Sequence, residues 1–207
     1  MIRRMLVALV LLVNLLLVNA MIAQPVWADP PKLTATPEYT EVTEAIDHLL
    51  QAKATPDQSE LRPEEIEQQL GELKLQKYIL ESATDWAQCR NATGKTLAVY
   101  AHKGKSAAPA LYYLGDGQTT DDDWNCDGIY LPTGTKVAGL PITPLTEPLA
   151  LKVTSGAHFV AKANPTGDLE FNLNPAKMFK AGEGNLSIPD LTQSAIESTK
   201  PNASVED

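Results

Sequence analysis

The chain reads as an α+β protein: an N-terminal helical pair followed by a small, mainly antiparallel β sandwich or barrel. Three observations predict this. Thr36-Pro37 and Pro63 are helix-start signals, each followed by apolar residues at helical spacing. From Lys95 onward the pattern changes to short β-branched and aromatic runs punctuated by Gly, Pro and Asn. The only two cysteines, Cys89 and Cys126, bracket the change of pattern within a stretch, Trp86 to Tyr130, that also holds the densest run of acidic residues.

The start of the chain reads as an export signal over residues 1–28. Arg3 and Arg4 precede an apolar run from Met5 to Val18, and Val26-Trp27-Ala28 supplies small residues for cleavage after Ala28. A membrane anchor would need roughly 20 continuous apolar residues, whereas Asn14, Asn19 and Gln24 interrupt this segment. Residues 29–36 form a linker. Loss of Arg3 and Arg4 takes the 17 basic groups to 15 against 26 acidic ones, so the net charge moves from −9 to −11. Such a balance repels phosphate backbones and anionic lipid surfaces, which argues against nucleic acid or an anionic membrane surface as partner.

In an oxidising compartment Cys89 and Cys126 are most simply one disulfide, the rival reading being a reactive or metal-binding thiol pair. Closing that loop stabilises by roughly 3–4 kcal/mol in the chain-entropy account.

The helical pair spans residues 37–88. Thr36 caps a first helix running to about Ala52, with Tyr39, Val42, Ile46, Leu49 and Leu50 on one face. Thr55 to Arg62 is a polar connection. Pro63 opens a second helix reaching about Trp86, with Glu64, Glu65 and Glu67 near the positive end of its dipole. Its apolar residues read either as a single broad stripe on a well-buried helix or as two sets. Ile66, Leu70, Leu73 and Leu80 suit the first helix, while Leu75, Ile79, Ala83 and Trp86 suit whatever follows Cys89. His48 reads as a surface residue.

Residues 89–174 form the β domain. Strands are expected at Thr96–His102, Ala110–Leu114, Gly128–Leu131, Lys136–Ala138, Leu149–Thr154, Ala157–Lys162 and Leu169–Leu173. Ser155-Gly156 suits a two-residue hairpin and Asn164 to Asp168 a longer one. Prolines 132, 141, 144 and 148 crowd one connection, which suggests an irregular crossover. Residues 175–207, rich in Ser, Thr, Asn and Asp, read as a mobile tail with too little apolar surface to offset the entropy of ordering. Acceptor-like triplets begin at Asn91, Asn185 and Asn202.

The candidate chemistry lies in the acidic loop 116–128. Asp123-Trp-Asn125-Cys-Asp127-Gly128 has the alternating oxygen ligands of a calcium loop, and Asp116, Asp121 and Asp122 are near in sequence. The twelfth position, however, is Gly134 where such loops place a bidentate glutamate. Calcium is therefore the one cofactor considered, and a solvated acidic turn held by the disulfide is the competing account. Catalytic residues are not assigned: His102 and His158 fall on strands, and the chain lacks a nucleophile elbow, His-Glu-x-x-His, a phosphate loop and a dinucleotide fingerprint. Tyr112, Tyr113, Trp124 and Tyr130 are candidate contact aromatics, or else core.

The segment Pro25-Val-Trp-Ala-Asp-Pro-Pro31, the acidic balance and Cys89-Arg-Asn-Ala-Thr-Gly-Lys-Thr-Leu-Ala-Val-Tyr100 resemble uncharacterised exported proteins of cyanobacterial type. The resemblance implies only a compartment, periplasm or thylakoid lumen. The expected function is a non-catalytic interaction or assembly module whose partner is another exported or membrane protein. A calcium- or small-ligand-binding module is the alternative, and a hydrolase a minor one. The oligomeric state is left open.

Overall fold

The computed structural model describes residues 32–55, 60–103, 108–140, 143–184 and 186–202. The export signal and its cleavage point lie outside these residues.

A 3-10 turn at Leu33–Ala35 leads into α1 (Pro37–Ala54). Thr36 Oγ1 accepts the Tyr39 N–H at 3.3 Å and Pro37 fills the first turn, so the start is where the capping signal places it. Helix α2 (Pro63–Ser82) begins at Arg62, whose N–H donates to Glu65 Oε2 at 3.0 Å. Val42, Ile46 and Leu49 of α1 meet Ile66, Leu70 and Leu80 of α2, with Leu33 completing the cluster. Helix α2 stops short of Trp86. Ala83 is extended, the Ser82 hydroxyl donates to the Tyr78 carbonyl at 2.7 Å, and Thr84 bonds Asp85, the local alternatives that short polar side chains offer the backbone. Of the second apolar set, Ile79 packs against the β core and Ala83 joins the helical cluster, while Leu75 is 47% exposed.

Eight strands follow among the described residues. A three-stranded sheet is formed by β1 (Gln88–Ala92), β6 (His158–Ala163) and β7 (Leu169–Phe171) in the order β1-β6-β7. A five-stranded sheet contains β2 (Leu97–Lys103), β3 (Ala110–Leu114), β4 (Trp124–Leu131), β5 (Leu149–Lys152) and β8 (Lys177–Lys180), ordered β3-β2-β4-β5-β8. Every pairing is antiparallel except β1 with β6. The sheets stay open, so the architecture is two mostly antiparallel sheets in an α+β fold rather than a closed barrel.

Side chains alternate across the five-stranded sheet, and both of its faces are covered. Val99, Ile129, Leu131, Leu149 and Leu151 point to a core shared with Cys89, Phe159 and Ala161 of the smaller sheet. Between them Ala98, Tyr100, Tyr130 and Ala150 point the other way, onto Leu186 and Ile196. Within 175–207, the described residues 175–184 and 186–202 are thus not the loose tail their composition suggests. They contribute β8, paired with β5, and the short helix α3 (Gln193–Ser198), and they cover the sheet's second face. Scattered apolar residues suffice because a preformed apolar sheet already supplies the surface they bury.

Three further expectations need correction. Ser155-Gly156 is not a hairpin: β5 and β6 belong to different sheets, and the turn is the corner between them. Lys136–Ala138 forms only a single bridge, from Val137 to Leu169. The proline-crowded connection joins β4 and β5, which are adjacent antiparallel strands, and so is a long hairpin loop rather than a crossover. Helices and sheets form one unit, Pro31–Asp207.

Candidate functional site

The central stretch is built around Cys89–Cys126, whose Cα atoms are 5.8 Å apart and whose side chains are wholly buried. Cys89 lies on β1 and Cys126 on β4, so the bond ties one sheet to the other through the core. Around Asp127 the β2–β4 register shifts, with Tyr100 opposite Gly128 but Ala101 opposite Cys126, leaving Asp127 as the extra residue of a bulge. The bulge turns its carboxylate toward β2. There Oδ2 lies 2.6 Å from His102 Nδ1, and Oδ1 accepts from Asn125 Nδ2 at 2.9 Å. Burial pushes the Asp127 carboxyl above the usual carboxylate range, against the pull of His102 and Asn125. The Trp86 ring stands edge-on to His102, centroids 6.2 Å apart.

The acidic loop spends its oxygens on the protein itself. Asp123 pairs with Lys103, and Asn125 Oδ1 accepts the Ala87 N–H at 3.1 Å. Asp116 accepts the Gly94 N–H at 2.8 Å, and Asp122 accepts from Gln88 Nε2 at 2.7 Å. Asp123 is thus paired away from the other two on Lys103, while Asn125 and Asp127 are bonded to each other and to Ala87 and His102, and no group of three or more His, Cys, Asp or Glu placed to share a metal ion occurs among the described residues.

The candidate aromatics separate. Tyr130 is core: it is fully buried, its hydroxyl donates to the Pro189 carbonyl at 2.8 Å and accepts the Leu191 N–H at 2.9 Å, and burial raises its pKa. Tyr113 packs in the same layer, and its backbone N–H donates to Asn202 Oδ1 at 2.8 Å. Tyr112 and Trp124 remain half-buried and meet edge to face at 4.2 Å. Asn91 is wholly buried, which removes it as a glycan acceptor in the folded chain, and His48 and His158 are exposed.

A second feature, absent from the sequence reading, lies at β8. An apolar groove of about 230 Å³ is lined by Leu140, Leu145, Leu149, Met178 and Phe179, with Glu147 and Lys180 on its rim. Met178 is 47% exposed, and Lys180 is ion-paired with Glu147 at 2.6 Å. Strand β8 is an outer edge of its sheet. The opposite edge, β3, is capped by Asn202, which both donates to and accepts from the Tyr113 backbone. The run of apolar residues Leu140 and Leu145 between prolines was the only sequence signal for this groove, since its other wall comes from the segment read as a tail.

No helix among the described residues is long and apolar enough to cross a membrane. No protein-family model, curated protein or solved structure matches the chain.

Proposed function

We propose that the protein is an exported, non-catalytic interaction or assembly module of the periplasm or thylakoid lumen, which docks another exported or membrane protein at the groove beside β8. The observation that carries this reading is the groove itself. It is an apolar concavity with an exposed methionine, bordered by a charged pair, which is the anatomy of an interface hot spot: an anchor pocket inside a polar rim. Met178 suits the role because its flexible thioether adapts to a partner's shape. Calcium binding at the acidic loop is the weaker reading, since an ion would have to displace Lys103 from Asp123 and the Ala87 amide from Asn125.

The test is affinity capture from the native exported fraction with wild-type protein, Met178→Glu and Tyr78→Glu, the last altering an exposed residue on α2. The expected result is one reproducible partner retained by wild type and Tyr78→Glu and lost with Met178→Glu. Retention by Met178→Glu would remove the groove as the contact. N-terminal sequencing of the protein from that fraction is expected to begin at Asp29.

A further inference from the structure

The ends of β1, β4 and β6 and the starts of β2 and β7 meet at one end of the two-sheet body. Between the loops that join them lies an open cleft of about 590 Å³, far from β8 in its lining residues and chemistry. Loops on a rigid sheet scaffold are where binding residues gather. Lys95 and Lys136 line it and Asp168 is the one acidic residue among its described walls, so the cleft carries net positive charge in a chain of net charge −9. Lys136 has no carboxylate within ion-pair range among the described residues, and Lys95 approaches Glu197 only at 3.9 Å.

The walls are fixed before any ligand arrives. Asn91, wholly buried, donates to the Lys95 carbonyl at 2.7 Å and the Leu114 carbonyl at 2.8 Å, and accepts from both the N–H and the hydroxyl of Thr93. On the facing loop Asn164 Oδ1 accepts from the Thr166 N–H and hydroxyl and from the Asp168 N–H. Thr93, Thr135 and Thr166 thus have their hydroxyl hydrogens committed, to Asn91, Pro132 and Asn164. What their oxygens leave for a ligand is acceptor capacity, while the two ammonium groups supply donors. Leu97 and Leu169 add apolar surface.

A ligand matched to this set carries hydroxyl groups to donate, one anionic group to receive the lysines, and an apolar ring face. We propose that the cleft binds a small hydroxylated organic anion of the sugar-acid kind. The loops act as a preorganised clamp, and the charge of Lys95 and Lys136 selects against neutral sugars, because a charge-assisted bond to a carboxylate is stronger than one to a neutral oxygen.

The experiment is titration of the ¹⁵N-labelled protein with D-glucuronate, D-glucose and inorganic phosphate, followed by amide chemical shifts. Glucuronate is expected to shift the amides of residues 93–97, 133–136 and 163–169 with millimolar affinity, and glucose and phosphate to bind about tenfold more weakly. Lys136→Ala, at an exposed residue whose side chain has no ion-pair partner to lose among the described residues, is expected to weaken glucuronate about tenfold, and added salt to do the same. No shifts with glucuronate, shifts confined to other loops, equal affinity for glucose or for phosphate alone, or unchanged binding in Lys95→Ala/Lys136→Ala would each overturn the proposal. Because none of these residues lines the β8 groove, the outcome is independent of the docking reading.

Discussion

A β-carbon on Gly156 would lie 2.3 Å from the Cβ of Ala83 and 2.8 Å from Leu33 Cδ1. The corner between the sheets therefore presses directly on the helical pair. Beside it the Ser155 hydroxyl donates to Glu38 Oε2 at 2.7 Å, and Lys152 Nζ lies 3.5 Å from the same oxygen. Glu38 sits in the first turn of α1, so one carboxylate serves the helix dipole and the docking contact together.

Gly156→Ala is expected to destabilise by about 2–4 kcal/mol, combining a positive φ with overpacking against Ala83. Gly167→Ala, also at positive φ but with nothing within 4 Å of the added carbon, is expected to cost only about 1–2 kcal/mol. Urea denaturation of both decides the matter. Equal losses would mean that the helices do not bear on the corner.

Truncation after Gly184 is expected to be severe. It uncovers Tyr100 and Tyr130, leaves their hydroxyls without the Ser187 and Pro189 carbonyls, and removes Leu186 and Ile196 from the core. The milder Ile196→Ala is expected to cost about 2–5 kcal/mol. A truncated protein with an unchanged melting temperature would show that the covering layer contributes nothing.

Reducing Cys89–Cys126, which closes a loop of sequence separation 37, is expected to cost about 4 kcal/mol. Both sulfurs are buried, so alkylation in native buffer with reductant should be slow and should accelerate in urea. Identical urea midpoints with and without reductant would refute the estimate.

Asp127 is expected to contribute a part of the stability that falls with rising pH. Its carboxyl is raised above 3.8 in the folded chain, so between that value and the raised one the folded state binds more protons than the unfolded state. The contribution of Asp127 to stability is highest below this window and declines as pH climbs through it. Asp127→Asn should flatten that part of the profile even if losing a bond to His102 or Asn125 costs about 1 kcal/mol at every pH. The check is the wild-type-minus-variant difference in unfolding free energy across acidic pH, which fails if it has no slope.

The features legible along the chain alone were local or countable. Thr36-Pro37 and Pro63 start helices because capping and a missing donor act within one turn. Val42, Ile46 and Leu49, with Ile66 and Leu70, mark the joined faces because a helix has a fixed period. The Cys89–Cys126 pairing followed from there being two cysteines. Strand β1 was hidden because its buried positions are Cys89 and Asn91, and an asparagine is buried only where the fold supplies partners, here the Lys95 and Leu114 carbonyls. The covering role of residues 186–196 had one visible trace: Leu97 to Ala101 of β2, Ile129 to Leu131 of β4 and Leu149 to Leu151 of β5 are apolar on both faces, which a sheet with one wet face would not be. Only the tertiary structure could say what lies on the second face, or bring Leu140 and Leu145 against Met178 and Phe179. Burial is a property of surfaces that meet, and these come from segments whose separation along the chain leaves no periodic mark.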